Sequence, residues 1–203
     1  MSVEVIPHSK GSKKLFENKF LEKLTRTHIA IPISLFIVYS AALLYYSITS
    51  INSLSGWQTF GLFMAGFFIF TLVEYVMHRY LFHIGTSTKK REKLQYTLHG
   101  VHHEYPKDKE RLAMPPIMSI TIATTLLLVF KLILGDLTFA FLPGFLVGYA
   151  SYLSMHYILH IYKAPKGFFN FLWANHAVHH YKDQTKAYGV SSPLWDYIFG
   201  TMP

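Results

Sequence analysis

Four long apolar runs dominate the chain: Ile29 to Ile48, Trp57 to Met77, Ile117 to Leu134, and Leu137 to about Leu159. Each is long enough to cross a bilayer core of about 30 Å as a helix, which takes roughly 20 residues. The polar connections between them differ in length. Thr49 to Gly56 is a short uncharged turn and Gly135-Asp136 is tighter still, whereas His78 to Pro116 is long and polar. This pattern predicts two helical hairpins. The N-terminal segment, the long connection and the C-terminal tail then share one side of the membrane.

Charge points the same way. Eighteen of the nineteen lysines and arginines lie on that shared side, and the exception, Lys131, is close enough to the end of its run to snorkel. The positive-inside rule places the shared side in the cytoplasm, of either a bacterial inner membrane or the endoplasmic reticulum. The net charge of +8 thus reads as a topology signal and an attraction to anionic headgroups, and no nucleic-acid partner is expected. Hydrophobic residues make up 51% of the chain and charged residues 15%, against about a quarter charged in soluble domains. A length of 203 residues suits a single domain over 1–203. The lack of cysteine excludes disulfides, thiolate metal sites and cysteine nucleophiles. Residues 1–28 are basic, and no small-residue cleavage pattern follows the first apolar run, so they do not read as a cleaved signal peptide. Within this expected interfacial segment, Phe16, Phe20 and Leu24 recur every four residues, which suits a helix over Leu15 to Thr27 lying on the membrane surface. A frayed basic tail is the alternative.

Ten of twelve histidines fall in four groups. His78 and His83 bracket the end of the second run, and His99, His102 and His103 follow in the polar connection. His156 and His160 end the fourth run, and His176, His179 and His180 lie in the tail. The hairpin topology brings all four groups to the same side, an agreement independent of their spacing. Residues three and four apart share a helix face, so each of the last three groups projects together. His78 and His83 would stand about 140° apart on a regular helix, flanking a site from two sides unless the helix unwinds there. Ten imidazoles exceed the roughly four to six ligands of one ion and imply two. Imidazole suits iron, zinc, copper and nickel alike, and zinc cannot do redox chemistry. The remaining His8 and His28 read as interfacial side chains.

Several other polar residues invite a role beside the histidines. Glu74, one turn before His78, is costly inside a span unless partnered; it could accept a hydrogen bond from His78 or pair with Arg79. Asn175 and Asp196 could brace histidines in the tail, or simply cap helices. Arg111 suits a carboxylate, a phosphate or an anionic headgroup, or is a plain membrane-surface charge.

The order HxxxxH, HxxHH, HxxxH, HxxHH resembles the fatty acid hydroxylase and sterol desaturase superfamily of membrane di-iron enzymes. The run His99-Gly100-Val101-His102-His103-Glu104-Tyr105-Pro106-Lys107-Asp108, then Arg111-Leu112, Pro115-Pro116 and Tyr188 to Asp196, is similar more specifically to fatty acid 2-hydroxylases. The resemblance implies an all-α integral membrane protein with four transmembrane helices and a cytosolic helical cap carrying a histidine-rich di-metal site. It implies two iron ions, replaceable by zinc in purified protein, with O2 as co-substrate. The activity implied is hydroxylation of a lipid acyl chain, at C2 of a fatty acid or sphingolipid acyl group. There is no room for the cytochrome b5 domain of many eukaryotic members, so electrons are expected from a separate donor: a cytochrome b5-like protein, a ferredoxin or a reductase. One position departs from the pattern: Leu153 stands where members often carry an acidic residue, three before the third box.

A sterol or carotenoid oxidase or desaturase of the same superfamily would use the same metals and differ in product. A non-enzymatic metal-binding membrane protein is a further alternative, although transporters place their polar residues at mid-membrane rather than at span ends. A haem electron carrier would show a Soret band.

Overall fold

The computed structural model describes residues 6–51 and 53–203, so the first five residues of the expected interfacial segment lie outside it. All regular structure among the described residues is helical. A short α1 (Lys19–Lys23) precedes α2 (Ala30–Ser50) and α3 (Gly56–Val76), and α3 continues without a break as a π-turn over Met77–Phe82. After α4 (Lys89–Gln95) a second π-turn, Tyr96–Gly100, leads into α5 (Val101–Glu104). Then come α6 (Pro116–Leu134), a 3-10 turn at Gly135–Leu137, α7 (Thr138–Ile161), α8 (Asn170–Tyr181) and α9 (Leu194–Ile198).

The helix starts follow local chemistry. Ser55 and Gln58 form a capping box on α3: the Gln58 N–H donates to Ser55 Oγ at 3.3 Å and the Ser55 N–H to Gln58 Oε1 at 2.9 Å. Pro116 opens α6, where its missing N–H costs nothing.

Helix α7 is the most deeply buried. Phe36 of α2 stacks on Tyr149 at 4.7 Å between ring centroids, and Phe70 of α3 meets Phe145 and Tyr149, each at 5.2 Å. Helices α3 and α7 approach so closely that neither can carry a side chain at the seam. A Cβ on Gly66 would lie 2.0 Å from the Phe141 carbonyl oxygen, and one on Gly144 1.8 Å from that of Phe63. Small residues at such a seam let two backbones pack directly, the means by which helices associate in lipid.

Outward-facing apolar residues complete the picture. Trp57 is 84% exposed and Leu132 87%, with Val38, Ile48, Phe60, Phe68 and Leu128 also bare. So much exposed apolar surface over long helices belongs in lipid rather than water, and the protein is a membrane protein.

Three stretches are long and apolar enough to cross a membrane: Ala30–Ser50, Gly56–Phe82 and Pro116–Ile161. The sequence predicts four, and the difference is one of continuity, because helical turns run unbroken through Gly135–Leu137. The third stretch is not straight. Phe130 lies 5.3 Å from Phe141 between ring centroids, whereas eleven residues of straight helix would separate them by about 16 Å. The chain therefore turns back on itself at the 3-10 turn. There Lys131 pairs with Asp136 and lies 4.9 Å from the Phe139 ring.

The N-terminal segment is helical over less than the expected Leu15 to Thr27. Only Lys19–Lys23 is helical, capped by the Asn18 side chain, and Phe20 is 68% exposed. The segment is not a frayed tail. Glu22 accepts hydrogen bonds from the Leu15 and Phe16 N–H groups at 2.8 and 3.1 Å and from Arg26 and Arg111. Arg111 also donates to Thr25 Oγ1 and to the Lys13 carbonyl oxygen, both at 2.7 Å. Its side chain is buried, so it is an internal clamp rather than a surface charge.

Candidate metal centre

All ten boxed histidines converge, but not box by box. They form two groups of five: His78, His83, His99, His103 and His179, and then His102, His156, His160, His176 and His180. Within each group every residue offers a ring nitrogen within 4.8 Å of the others. The groups abut, with His103 stacked on His180 at 4.2 Å.

Helix geometry explains the partition. Consecutive residues are about 100° apart, so an HH doublet cannot aim both rings at one point. Each HxxHH box gives its i,i+4 pair to one group and its middle histidine to the other. His99 and His103 join the first group while His102 crosses to the second. His176 and His180 join the second while His179 crosses to the first.

The five-residue spacing of His78 and His83 has its own cause. The helix neither unwinds nor presents the rings on opposite sides; it widens into the π-turn, in which the His83 N–H donates to the His78 carbonyl at 3.2 Å. An i to i+5 bond sets the two residues one above the other, and their ring centroids are 5.2 Å apart. Inserted π-turns of this kind are frequent at functional sites.

The rings suit a cation. Nε2 atoms face one another in both groups: His78 to His99, His99 to His103 and His83 to His179 at 3.0 Å in the first, and His102 to His156 at 3.0 Å and His160 to His176 at 2.7 Å in the second. His78 Nδ1 lies 2.6 Å from the Tyr188 carbonyl oxygen and His179 Nδ1 2.7 Å from that of Lys186. A carbonyl only accepts, so Nδ1 carries the proton and Nε2 turns a lone pair toward the group. Both ring nitrogens of His180 are buried without a partner among the described residues. Burial, reinforced by neighbouring imidazoles, keeps the rings neutral. It lowers His83 and His179 to about 3 and holds His99, His102, His103, His176 and His180 well below the usual range. Buried, neutral, mutually facing nitrogens fit a metal ion, which needs deprotonated ligands.

The residues expected to brace the histidines behave differently from one another. Glu74 hydrogen-bonds to neither His78 nor Arg79. Its carboxylate accepts from the Val190 N–H at 2.8 Å, the Ser191 N–H at 2.9 Å and the Ser191 hydroxyl, while Arg79 donates to the Tyr75 hydroxyl at 2.7 Å. Backbone N–H groups with no other partner compete better for a buried carboxylate than an imidazole already bonded to a carbonyl. Asp196 accepts from the Tyr188 and Gly189 N–H groups at 2.8 and 2.7 Å and from Thr201 Oγ1 at 2.7 Å, and its hydrogen bonds include no histidine. Asn175, half-buried inside α8, caps no helix and makes none of the site's hydrogen bonds. The two carbonyls that do hold histidines, on Lys186 and Tyr188, are absent from the sequence reading. Backbone groups leave no residue-type signal to find them by.

Residues 63–201 match the fatty acid hydroxylase family. The chain belongs to that family. It is 38% identical over 195 residues to the dihydroceramide fatty acyl 2-hydroxylase FAH2 of Arabidopsis thaliana, covering 94% of this chain and 80% of FAH2. It is 36% identical to the ceramide very long chain fatty acid hydroxylase scs7 of Schizosaccharomyces pombe, over 94% of this chain and 55% of that protein. With the fatty acid 2-hydroxylase of Homo sapiens it shares 38% identity over 70% of this chain and 39% of the human one. The chain thus spans most of FAH2 but only about half or less of the other two. A solved structure of full-length scs7p, with only its hydroxylase domain visible, matches at a TM-score of 0.83 and 36% identity over 96% of this chain and 73% of that one.

Within this fatty acid hydroxylase, the Leu153 departure has a visible counterpart. Leu153 is 3% exposed in the apolar core, and His156 Nδ1, one turn on, is buried without a partner among the described residues.

Proposed function

We propose that this protein hydroxylates a lipid acyl chain at C2, as free acid, thioester or sphingolipid acyl group, with two iron ions held by its two five-histidine groups. The hydroxylase class follows from family membership and from relatives named for 2-hydroxylation of ceramide and fatty acyl chains. The observation that carries the metal reading is the pair of abutting, buried, all-imidazole groups at the ends of apolar helices. Iron bound there would supply the redox chemistry with O2 that zinc lacks, with electrons from a separate cytochrome b5-like protein, ferredoxin or reductase.

The chain's own residues do the rest. His78, His83, His99, His103 and His179 would hold one ion, and His102, His156, His160, His176 and His180 the other. Their burial excludes bulk water from the site. We read the bundle as one membrane-embedded domain with four passes, the third and fourth meeting at Gly135–Leu137. The clustering of lysine and arginine supports placing the histidine end and the described termini on the cytoplasmic side. With the acyl headgroup at that interface, the carbon beside the carbonyl lies nearest the histidines, whereas mid-chain oxidation would require a deep channel.

The test is lipid mass spectrometry on cells expressing the chain with a suitable reductase, beside the variant His102→Ala, His103→Ala. That pair removes one ligand from each group. New oxygen at C2 that vanishes in the variant is the expected result. Unchanged acyl chains with metal-loaded protein present would overturn the substrate and redirect the search to sterols and carotenoids.

A further inference from the structure

The two five-histidine groups share a donor type but not their surroundings. In the first group, His78 and His179 each donate Nδ1–H to a backbone carbonyl, on Tyr188 and Lys186, while the Nδ1 atoms of His83 and His103 are buried without a partner among the described residues. In the second, the Nδ1 atoms of His102, His156, His176 and His180 are all buried without a partner among the described residues. Both supporting carbonyls belong to one short strap after α8.

Two carboxylates hold that strap. Asp196 accepts the N–H groups of Tyr188 and Gly189, and Glu74 accepts those of Val190 and Ser191. Four consecutive N–H groups are thereby tied to two carboxylates, one on α3 and one on α9. The fit allows no slack. A Cβ on Gly189 would lie 2.2 Å from the Ser192 carbonyl oxygen and 2.8 Å from Asp196 Oδ2. Ala187, between the two supporting carbonyls, takes the left-handed φ of 54° and donates its N–H to the Thr201 carbonyl at 2.9 Å.

We propose that Glu74 and Asp196 are positioning residues for the first group's ion: they fix the strap, whose Tyr188 and Lys186 carbonyls lock His78 and His179 with Nε2 facing inward. A partner on the far nitrogen sets a histidine's tautomer and raises its basicity, and its loss typically lowers metal affinity by about 10–100-fold. The second group has no such support, so the two ions respond unequally to damage in the strap. This inference rests on the metal-binding reading above and adds an order to it.

The experiment uses the full chain in detergent, loaded with zinc and challenged with a chelator, with release followed by a colorimetric indicator. His160→Ala breaks the second group and leaves the first group's ion, while His179→Ala does the converse. Asp196→Ala added to the His160→Ala chain is expected to speed release by about 10–100-fold, and added to the His179→Ala chain to leave the rate unchanged. Asp196→Asn keeps an acceptor for the Tyr188 N–H and should fall between. Equal acceleration in both backgrounds would mean general loosening, and no acceleration in either would mean no positioning role; each overturns the proposal. If Asp196→Ala does not fold, Ser191→Ala removes only the hydroxyl bond to Glu74 and must show the same one-sided effect more weakly. A wild-type chain that holds no zinc would instead overturn the metal reading, and this inference with it.

Discussion

The two histidine groups share both HxxHH boxes by a crosswise exchange, yet only the first has histidines braced by backbone carbonyls. The first takes His78 and His83 from the end of α3 and leans on the strap at 186–191. The second takes His156 and His160 from the end of α7 and is packed around by side chains, with Tyr152 stacked on His156 at 5.5 Å. Identical donor sets therefore need not give identical sites. What differs is whether backbone oxygens happen to face the outer nitrogens, and that depends on a loop distant in sequence from α3.

The largest expected effect destroys both groups together. α3 and α7 each end in a histidine pair and meet at the Gly66 and Gly144 seam, so Gly144→Leu should force them apart. We expect a loss of about 3 kcal/mol in stability, read as a lower unfolding temperature, with both ions lost at once. Loss of one ion alone would mean that the seam does not set the spacing of the groups.

A smaller change should even out the comparison. Leu153→Asp puts a carboxylate one helical turn before His156, within reach of its unpartnered Nδ1. Zinc release from the second group should slow by about 10-fold, at a cost of about 1–3 kcal/mol in the metal-free protein from burying a polar group. Unchanged release would show that His156 needs no such partner.

The N-terminal clamp gives a control, because it serves both groups alike. The His8 N–H donates to the Glu104 carbonyl at 2.7 Å and Lys13 pairs with Glu104 at 3.3 Å, at the end of α5, which supplies one histidine to each group. Glu22 anchors the clamp. Burial works against its charge, but the Phe16 and Leu15 N–H groups and Arg111 pull its pKa down from 4.5 to about 2. A carboxyl depressed in the folded state adds stability above its unfolded pKa and loses it as pH falls through the folded one. Pepsin cleavage within residues 13–26, normalised to an unstructured control peptide cut in the same reaction, should therefore rise as pH drops from 4.5 toward 2, and Glu22→Gln should abolish that dependence. A cleavage rate in the variant that still tracks pH would assign the effect elsewhere.

The smallest effect lies in the strap. Ala187→Gly relieves the left-handed backbone and should stabilise by about 1 kcal/mol or less, seen as a slightly higher unfolding temperature with both ions retained. Destabilisation would show that the Ala187 methyl, buried in the strap, matters more than the strain.

Much of this protein is legible in the chain itself. Apolar run lengths place α2, α3, α6 and α7 to within a few residues, because crossing lipid demands internally bonded helix of a set length. Histidine spacing marks the ten residues that converge, because helix periodicity alone brings i and i+4 together. Tertiary structure decided the rest. The sorting of the ten into two fives, the π-turn that reconciles His78 with His83, and the true partners of Glu74, Asp196 and Arg111 all depend on where separate helices meet. Most of all, the bracing of one group comes from the carbonyls of Lys186 and Tyr188, which any residue type could supply. Sequence specifies side chains, whereas a backbone oxygen acquires a role only once the fold has carried it to its partner.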